Sequence, residues 1–372
     1  MTDPIVLDGS KFSGSGTLLR SALAFSSITS KSFVIEKILI DRKFPGLSAQ
    51  KVALIESFAK ATQADVAGNG VGSTILQFSP KLPFSGKKVD IDFSSPTSVT
   101  LPLQSLLIPS LISEDSVSIN LTGGTHVANA PTIGFLRETL FRYLTPYFEN
   151  ISLNIPLMGF YPKGEGTVVC NLTSSISKGD KVRPLDVIEK DNLIALKGEL
   201  VSSGEHLESD ALKTINSLVS LSLKNYGVPL ILQPQYVASK SSGVSMTLVA
   251  LFGNKDGYDN SLPFIIGLDK TWSSLSTIDK SDLEDDCLSF VKEFSALISK
   301  KFVDIPSAEL LLPFIAVLGG SIVVSEITER MNAIIYVSKE ILDVDFIVVD
   351  NKISTVGYLN TLHESLPSIE DV

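Results

Sequence analysis

A glycine- and serine-rich stretch near the start of the chain has the residue types of an anion-binding turn. The stretch runs from Asp8 to Gly16, between a short apolar segment and a helical pattern that carries Arg20. Backbone N–H groups exposed at a helix N-terminus favour a bound anion. The Gly-Lys-Ser/Thr of a P-loop is missing, and the same composition also suits a plain turn with a helix cap. The stretch therefore indicates either a phosphate site or a turn.

Two later segments have features of the same kind. Residues 40–50 hold a Pro-Gly-Leu between two polar side chains, Arg42 and Gln50. Residues 159–166 hold two aromatic residues followed by a loop of proline, lysine and glycine. This second segment is typical either of a β-turn or of a site rim that is lined by backbone groups.

Side chains that could act as nucleophiles or metal ligands are few. The histidines are His126, His206 and His363, and His126 follows a Gly-Gly-Thr turn, where a surface or turn role is the usual one. No Ser/His/Asp arrangement and no metal-ligand spacing is visible, so the residues predict no metal site. Cys170 and Cys287 lie far apart and are expected to be buried free thiols in a reducing compartment.

Composition limits the classes of function. Hydrophobic residues make up 44% of the 372 residues, which is enough for a buried core. The net charge of −10 does not steer the chain to nucleic acid, so any such site must be a local basic patch. No apolar run approaches the ~20 residues of a membrane span, and the N-terminus does not resemble a signal peptide. We expect a soluble, intracellular protein with no membrane partner.

Hydrophobic periodicity predicts alternating helices and strands. Helical spacing occurs in six segments: 18–28, 52–59, 103–111, 135–144, 212–223 and 283–298. Short β-type runs occur at 33–35, 75–78, 89–93, 117–121, 230–232 and 246–250. The alternation predicts an α/β protein with several sheets backed by helices.

The order strand, helix, strand, helix, strand, strand recurs along the chain. It covers residues 4–93, 94–180 and 277–357, and the copies share pattern rather than letters. Residues 182–276 break this rhythm, and they predict an inserted domain.

Three parts follow from this division. Residues 1–181 and 277–360 are predicted to form a large domain of three repeats, and residues 182–276 an inserted domain. Residues 361–372 form a polar acidic tail that is expected to be disordered.

Taken in order, the segments resemble the RNA 3'-terminal phosphate cyclase family. The family's first motif is an Asp-Gly, a Glu-Gly-Gly-Gly-Gln loop and a Leu-Arg, and it is matched here at Asp8, Gly9, Gly14, Gly16, Leu19 and Arg20. Further matches are Arg42, Pro45, Gly46, Leu47, Gln50, Ser98, Thr100, Leu101, Leu103, Gln104, residues 123–125, Ala130, Pro131, residues 159–164 and residues 310–313. The resemblance covers nearly the whole chain outside 182–276.

The resemblance implies a fold and a reaction. The family's large domain consists of three βαβαββ units, with a smaller α/β domain inserted before the last unit. Its reaction uses ATP, usually with Mg²⁺: a histidine is adenylylated, AMP passes to an RNA 3'-phosphate, and the 2'-hydroxyl closes a 2',3'-cyclic phosphate. An imidazole nucleophile and cationic groups around the phosphates are therefore needed.

The chain departs from the family at the nucleophile. Counting from residues 310–313 without gaps, the family's histidine position falls on Arg330. A guanidinium stays protonated and has no lone pair to attack with, although it can hold a phosphate; a solvated charge on a helix is the alternative interpretation. The other departures are Ser13, Thr17, Lys51, Ala308 and Glu309.

By the resemblance, no catalytic residue is assigned beyond Arg330 at the histidine position. The residues expected to contact nucleotide or phosphate are Arg20, Arg42, Gln50, Gln104, Tyr161 and Pro162. For each of them the alternative is a surface charge or a capped helix end.

The expected function is that of a cyclase-family protein that acts on RNA ends, with its cyclase activity weakened or lost. ATP and Mg²⁺ are expected if the chain is active, and no cofactor otherwise. The alternative is a non-catalytic cyclase-like factor in rRNA processing and small ribosomal subunit biogenesis, with pre-ribosomal proteins as partners and the nucleus or nucleolus as its place. DNA is not an expected partner. A scaffold that retains only the fold also remains open.

Overall fold

In the computed structural model the chain begins with a four-stranded unit. The structure describes residues 3–12, 16–85, 87–93, 95–177, 179–188, 192–203, 211–253, 264–273, 280–300 and 302–364. The first unit comprises β1 (Ile5–Asp8), α1 (Gly16–Thr29), β2 (Phe33–Glu36), α2 (Ala49–Thr62), β3 (Asp65–Ala67) and β4 (Leu76–Ser79). Its sheet has the order β1-β2-β4-β3, with β1 and β2 parallel and the other pairs antiparallel.

The second unit repeats this order. It comprises β5 (Lys88–Asp92), α3 (Thr100–Ser110), β6 (Val117–Gly123), α4 (Ile133–Glu138), α5 (Leu140–Leu144), β7 (Phe148–Leu157) and β8 (Gly166–Ser174). The sheet order is β5-β6-β8-β7, and β6 alternates buried and half-buried side chains as its sequence predicts. The apolar stripe at 135–144 predicts one helix, but two short helices meet at Thr139, whose hydroxyl donates to the carbonyl of Phe135.

Next come a short strand, which belongs to the sheet of the third unit, and a separate four-stranded sheet. The strand is β9 (Leu185–Val187). The elements after it are β10 (Asn192–Ser203), α6 (Ala211–Leu223), β11 (Leu230–Val237), β12 (Gly243–Gly253), β13 (Phe264–Ser273) and α7 (Lys280–Ser299). The sheet order is β11-β10-β12-β13, and α7 packs against α6 and β13.

The third unit closes the chain. It comprises α8 (Ile305–Leu318), β14 (Gly320–Val323), α9 (Glu329–Val337), β15 (Ile347–Val349), β16 (Lys352–Thr355) and α10 (Tyr358–Glu364), with one π-helical turn after α9. Its sheet has the order β15-β16-β14-β9, so β9 supplies the first strand of this unit although it falls within the predicted 182–276 insert. The fold is therefore mixed α/β with the three βαβαββ units that the sequence predicts.

The helices of the three units pack against one another. Helix α1 packs against α3 and α9, and α8 packs against α3 and α9. From Leu310 to Leu318, helix α8 is apolar on all sides and buried, as a helix segment enclosed by other elements must be. It ends at Gly319, where φ is +80° and a Cβ would lie 2.0 Å from the carbonyl oxygen of Val356.

Two features bear on the predicted ends of the domains. Helix α7, which the sequence rhythm groups with the outer repeats, packs on the elements of the insert. The predicted tail at 361–372 begins inside α10, and its remainder from residue 365 lies outside the described residues. Of the helices described, none is both long and apolar enough to cross a bilayer.

Candidate functional site

A cleft of about 370 Å³ opens where helices of all three units meet the inserted sheet. Its charged side chains are Arg20 from α1, Asp269 from β13, Glu309 from α8 and Arg330 from α9, and its other polar side chains include Gln104 from α3. These residues are up to 310 positions apart in sequence, and three of them are predicted site residues. The fold therefore brings Arg20, Gln104 and Arg330 to one place.

Arg20 points into the cleft from the first turns of α1. Its Nη2 donates to the hydroxyl of Thr17 at 3.2 Å. Thr17 stands where the family's loop has glutamine. A Cβ on Gly16 would lie 3.1 Å from Nη1 of Arg20, so the small residue leaves room for the guanidinium. Burial and then the charge of Arg330 lower the pKa of Arg20 to about 10, although the charge of Glu309 acts in the opposite direction. At neutral pH the group is still protonated.

Arg330 lies in the first turn of α9 and also lines the cleft. The helix is capped by Thr328, whose hydroxyl accepts from the backbone N–H of Met331. Nη1 of Arg330 is 2.9 Å from Oε2 of Glu309, and the Thr328 hydroxyl donates to the other carboxylate oxygen at 2.8 Å. The Arg330 side chain is 54% exposed, whereas that of Glu309 is only 15% exposed. Arg330 therefore lines the cleft and is already ion-paired with one carboxylate, that of Glu309.

Gln104 is buried and fastens α3 to α8. Its Nε2 donates to the carbonyl of Leu310 at 2.8 Å and approaches that of Glu309 at 3.4 Å. Pro313 has no N–H, so the carbonyl four residues earlier, on Glu309, has no helical donor. The amide of Gln104 fills this gap. A contact with phosphate through Gln104 stays a prediction, since its donor group is used within the protein.

Arg42 and Gln50 do not line the cleft. Arg42 is exposed on the loop before α2, and Gln50 is half-buried in the first turn of that helix. Lys51, which follows Gln50, lies closer: its Cε is 3.7 Å from the position of a Cβ on Gly16, beside Arg20. Burial, together with the charges of Arg20 and Arg42, lowers the pKa of Lys51. Arg20 and Arg42 thus act on Lys51, and Arg330 acts on Arg20; these four side chains form the cation group at the mouth of the cleft.

The predicted rim residues Tyr161 and Pro162 are exposed and lie outside the cleft lining. Their turn is held from below. Phe160 is buried and stacks on the imidazole of His126 with the ring centres 5.0 Å apart. The N–H of Lys163 donates to the hydroxyl of Ser241 in the insert at 3.1 Å. A role for Tyr161 or Pro162 in binding nucleotide stays a prediction.

His126 is the histidine whose side chain the structure describes, and it is buried away from the cleft. Its Nδ1 is 2.8 Å from the hydroxyl of Thr125, and burial next to the charge of Arg137 lowers its pKa to about 3. The ring is neutral at physiological pH and has packing as its evident role. His206 lies outside the described residues, as does the side chain of His363.

The predicted anion loop is described only in part, because residues 13–15 lie outside the described residues. On the described side, Asp8 accepts from the N–H and the hydroxyl of Ser10, which lower its pKa. The two cysteines are buried, and burial raises the pKa of Cys170 to about 12 and that of Cys287 to about 11. Neither thiol is activated.

Sequence reasoning missed two groups of the cleft. Asp269 belongs to the insert, and its Oδ2 accepts from the N–H of Thr132 at 2.6 Å; burial raises its pKa. No local pattern marked it, because its role depends on how the insert docks. Lys51 stood out only as a replacement for histidine, although its position one residue after Gln50 was a usable signal.

The sequence profile described as "RNA 3'-terminal phosphate cyclase" matches residues 11–348. Proteins of that name are similar over most of their length: one from Saccharolobus islandicus (strain M.14.25 / Kamchatka #1) is 30% identical, over 91% of this chain and 95% of its own. One from Methanosarcina barkeri (strain Fusaro / DSM 804) is 29% identical over the same shares. One from Korarchaeum cryptofilum (strain OPF8) is 37% identical, but the match spans 48% of this chain and about half, 51%, of that protein.

Proposed function

The chain belongs to the RNA 3'-terminal phosphate cyclase family, and from that premise we propose that it binds phosphorylated RNA 3' ends without the family's covalent nucleotide step. The bound group is the terminal phosphate, held by the cations at the mouth of the cleft. The family reaction takes place on RNA 3' ends, so RNA is the partner class that this membership supports.

One observation carries the proposal: the cleft position expected for the nucleophile has a guanidinium that is ion-paired with Glu309. Arginine keeps its proton at any physiological pH and offers no free electron pair. No histidine lines the cleft among the described residues. Adenylylation of an imidazole has no candidate residue there.

The same charges favour binding of a phosphate. The charge of Arg330 disfavours the protonated form of Arg20, and the charges of Arg20 and Arg42 disfavour that of Lys51; a bound dianion relieves this cost. Arginine presents two parallel N–H donors to a phosphate, which fixes the phosphate's orientation as well as its position. Arg330 then shares its donors between the phosphate and Glu309, and Arg20 faces the phosphate directly.

The charges of the cleft suit a nucleoside triphosphate, but its side chains do not suit a magnesium ion held by protein ligands. Glu309 and Asp269 are the carboxylates of the cleft lining, and both already accept hydrogen bonds within the protein. Among the described residues no group of three or more potential ligands is placed to hold a metal ion. Arg20, Lys51 and Arg330 would hold the phosphates of ATP.

The covalent part of the proposal is tested with α-labelled ATP and Mg²⁺. We expect no label on the protein after denaturation in neutral or alkaline detergent, which preserves a phosphoramidate, because no imidazole among the described residues faces the nucleotide. A stoichiometric acid-stable or acid-labile adenylate on the chain would overturn the proposal.

The binding part is tested with RNA oligomers that carry a 3'-phosphate or a 3'-hydroxyl. We expect tighter binding of the phosphorylated oligomer, and a loss of about 10- to 100-fold in that affinity on Arg20→Ala, since one charge-assisted bidentate contact disappears. The matched control is Arg183→Ala, which removes an exposed arginine that does not line the cleft. Equal affinities for the two oligomers would contradict the assignment of the cleft to the terminal phosphate.

The alternative role, a non-catalytic factor in rRNA processing and small ribosomal subunit biogenesis, stays a prediction, and so does a nuclear or nucleolar location. It needs the same phosphate binding and adds pre-ribosomal partners. Sedimentation of cell extract on a sucrose gradient tests it, because such a factor travels with pre-ribosomal particles. A chain found only in the light fractions would exclude this role.

A further inference from the structure

We propose that the exposed loop at residues 38–46 is a stacking surface for bases of single-stranded RNA that lie upstream of the terminal phosphate. This loop is called the Phe44 loop below. The inference rests on the proposed function, because it assumes that an RNA end enters the neighbouring cleft. It adds a contact with the bases, which the charges of the cleft do not provide.

The Phe44 loop is held at its base and projects at its tip. The N–H of Gly46 donates to the carbonyl of Ile38 at 3.0 Å, and the N–H of Ile38 donates to the carbonyl of Thr74 at 2.9 Å. Gly46 has φ of +82°, and a Cβ there would lie 2.3 Å from the carbonyl oxygen of Gly72. The base is therefore pinned against the segment before β4, whereas residues 40–45 are all exposed.

The exposed tip is apolar where solvent contact is greatest. Phe44 is 81% exposed and Ile40 is 48% exposed. The adjacent segment adds Val71, 70% exposed, and Ile75, 52% exposed. Grouped exposed apolar side chains of this kind mark a binding surface more often than a single exposed residue does. An aromatic ring that shows its face to solvent offers a base a surface on which to stack.

One cation lies beside the ring, and the base of the loop adjoins the cations near the cleft. Nζ of Lys43 lies 5.6 Å from the centre of the Phe44 ring. On the other side, Ile38 and Leu39 line a small crevice together with Gly16 and Lys51, so the base of the loop adjoins the cations at the mouth of the cleft. Arg42, on the loop itself, is close enough to act electrostatically on Lys51.

The local charge favours a nucleic acid as the occupant. Asp41 is the acid of the loop, against Arg42 and Lys43, and the chain as a whole carries −10. Proteins bind single-stranded nucleic acids through basic side chains that lie next to exposed aromatic rings. The Phe44 loop combines these two features on an otherwise acidic protein. The path from Lys51 through Arg42 to Phe44 also suits a strand whose last phosphate lies in the cleft and whose preceding bases pass over the loop.

The test compares a 3'-phosphorylated RNA of about eight nucleotides with a nucleoside 3'-phosphate, for the wild type, Phe44→Ala and Phe44→Trp. We expect Phe44→Ala to weaken binding of the oligomer by about 5- to 150-fold, the range for loss of one stacked base, and to leave the nucleoside 3'-phosphate unaffected. Phe44→Trp should retain the affinity. The matched control is Leu221→Ala, since Leu221 is 72% exposed on α6.

A fluorescent base reports stacking directly. With 2-aminopurine placed before the terminal nucleotide, we expect quenching by the wild type and by Phe44→Trp, and recovery of the fluorescence with Phe44→Ala. Unchanged affinity and unchanged quenching in Phe44→Ala would overturn the inference while the proposed function stands.

The opposite failure is distinguishable. If oligomers with a 3'-phosphate and a 3'-hydroxyl bind equally, and both lose affinity on Phe44→Ala, the terminal-phosphate proposal fails and the stacking surface stands. A wild type that binds neither oligomer would overturn both, and would leave the exposed apolar residues as a surface for a protein partner.

Discussion

Two groups of charged side chains in this protein differ in their ion pairing. One is the ion-pair network at the junction of α4, α5 and β10, formed by Arg137, Glu138, Arg142, Lys197 and Glu199. The other is the cation group at the mouth of the cleft, formed by Arg20, Arg42, Lys51 and Arg330, with Glu309 as the carboxylate that pairs with Arg330.

The network has three cations and two carboxylates, and each cation is bonded to at least one of the carboxylates. Glu138 accepts from Arg142 at 2.8 and 3.0 Å and from Lys197 at 2.6 Å, while Glu199 accepts from Arg137 at 2.6 Å. Burial opposes ionisation of Glu138, but these hydrogen bonds outweigh it and hold the pKa of Glu138 below its usual value. Such a network joins the insert to the second unit.

In the cleft the cations outnumber the paired carboxylate, and the pKa values of Arg20 and Lys51 are lowered rather than sustained. Paired charges at the junction position one part of the fold on another. Like charges grouped around a cleft cost stability, and a protein keeps them where an anionic ligand compensates for the cost. The difference separates a structural role from a binding role.

The largest expected effect is at the junction. Glu138→Ala leaves Arg142 and Lys197 without their carboxylate, and we expect the free energy of unfolding to fall by about 3 kcal/mol, the lower end for a broken buried ion pair, because these cations remain partly exposed. Urea denaturation measures it. Glu165→Ala, which breaks an exposed pair with Lys240, should cost no more than about 1 kcal/mol. Similar losses of unfolding free energy in both variants would show that the junction network stabilises the fold no more than an exposed ion pair does.

A carboxyl group near the junction should give the next effect, through pH. Burial raises the pKa of Asp304 from 3.8 to about 6, and its two oxygens accept from the N–H groups of Ser307 and Gly267. Between pH 4 and 6 the folded chain keeps a proton that the unfolded chain has lost. The contribution of Asp304 to the free energy of unfolding therefore falls by about 3 kcal/mol as pH rises through this window.

The contribution of Asp304 is isolated by comparing the wild type with Asp304→Asn, which keeps a good N-cap for α8. The difference in unfolding free energy between the two should change across pH 4 to 6, in the direction that favours the wild type at the acid end. A constant difference would show that Asp304 has an ordinary pKa.

The third prediction separates the two roles of a cleft residue. Gln104→Leu removes the donor to the carbonyls of Glu309 and Leu310, and leaving a buried carbonyl without a partner should cost about 1–2 kcal/mol of stability. If its role is fastening α3 to α8, affinity for 3'-phosphorylated RNA changes little while the protein stays folded. A loss of affinity as large as that of Arg20→Ala would instead make Gln104 a phosphate contact.

The smallest expected effect has the opposite sign. Lys51→Met removes one cation from the cleft and keeps the apolar stem, so we expect the free energy of unfolding to stay unchanged or to rise by up to about 1 kcal/mol. The same variant should bind phosphorylated RNA more weakly. Measured together, these two results define a binding residue. Destabilisation by more than about 1 kcal/mol would place Lys51 with the structural group.

Much of the fold was predictable from local patterns. The alternation in β6 and the helical stripes of α1, α2 and α3 follow from the spacing of apolar residues, and the structure confirms them within a few residues. The strand β9 was not found, because three residues give too short a pattern and its sheet partner, β14, is more than a hundred residues away. The break at Thr139, where φ is −110° and ψ is −81°, was missed because the apolar spacing continues across it.

For the site, the sequence by itself determined which residue types are present: arginine at the position expected for the nucleophile, arginine in the first turns of α1, and family membership through ordered motifs. These follow from identity and order along the chain. Only the tertiary structure decided that Arg20 and Arg330 face one cleft, that Gln104 is bonded to α8, and that Asp269 of the insert joins them. The physical reason is that hydrogen bonds and charge interactions act over a few ångströms in space, and residues hundreds of positions apart come within that range only after the helices of the three units have packed.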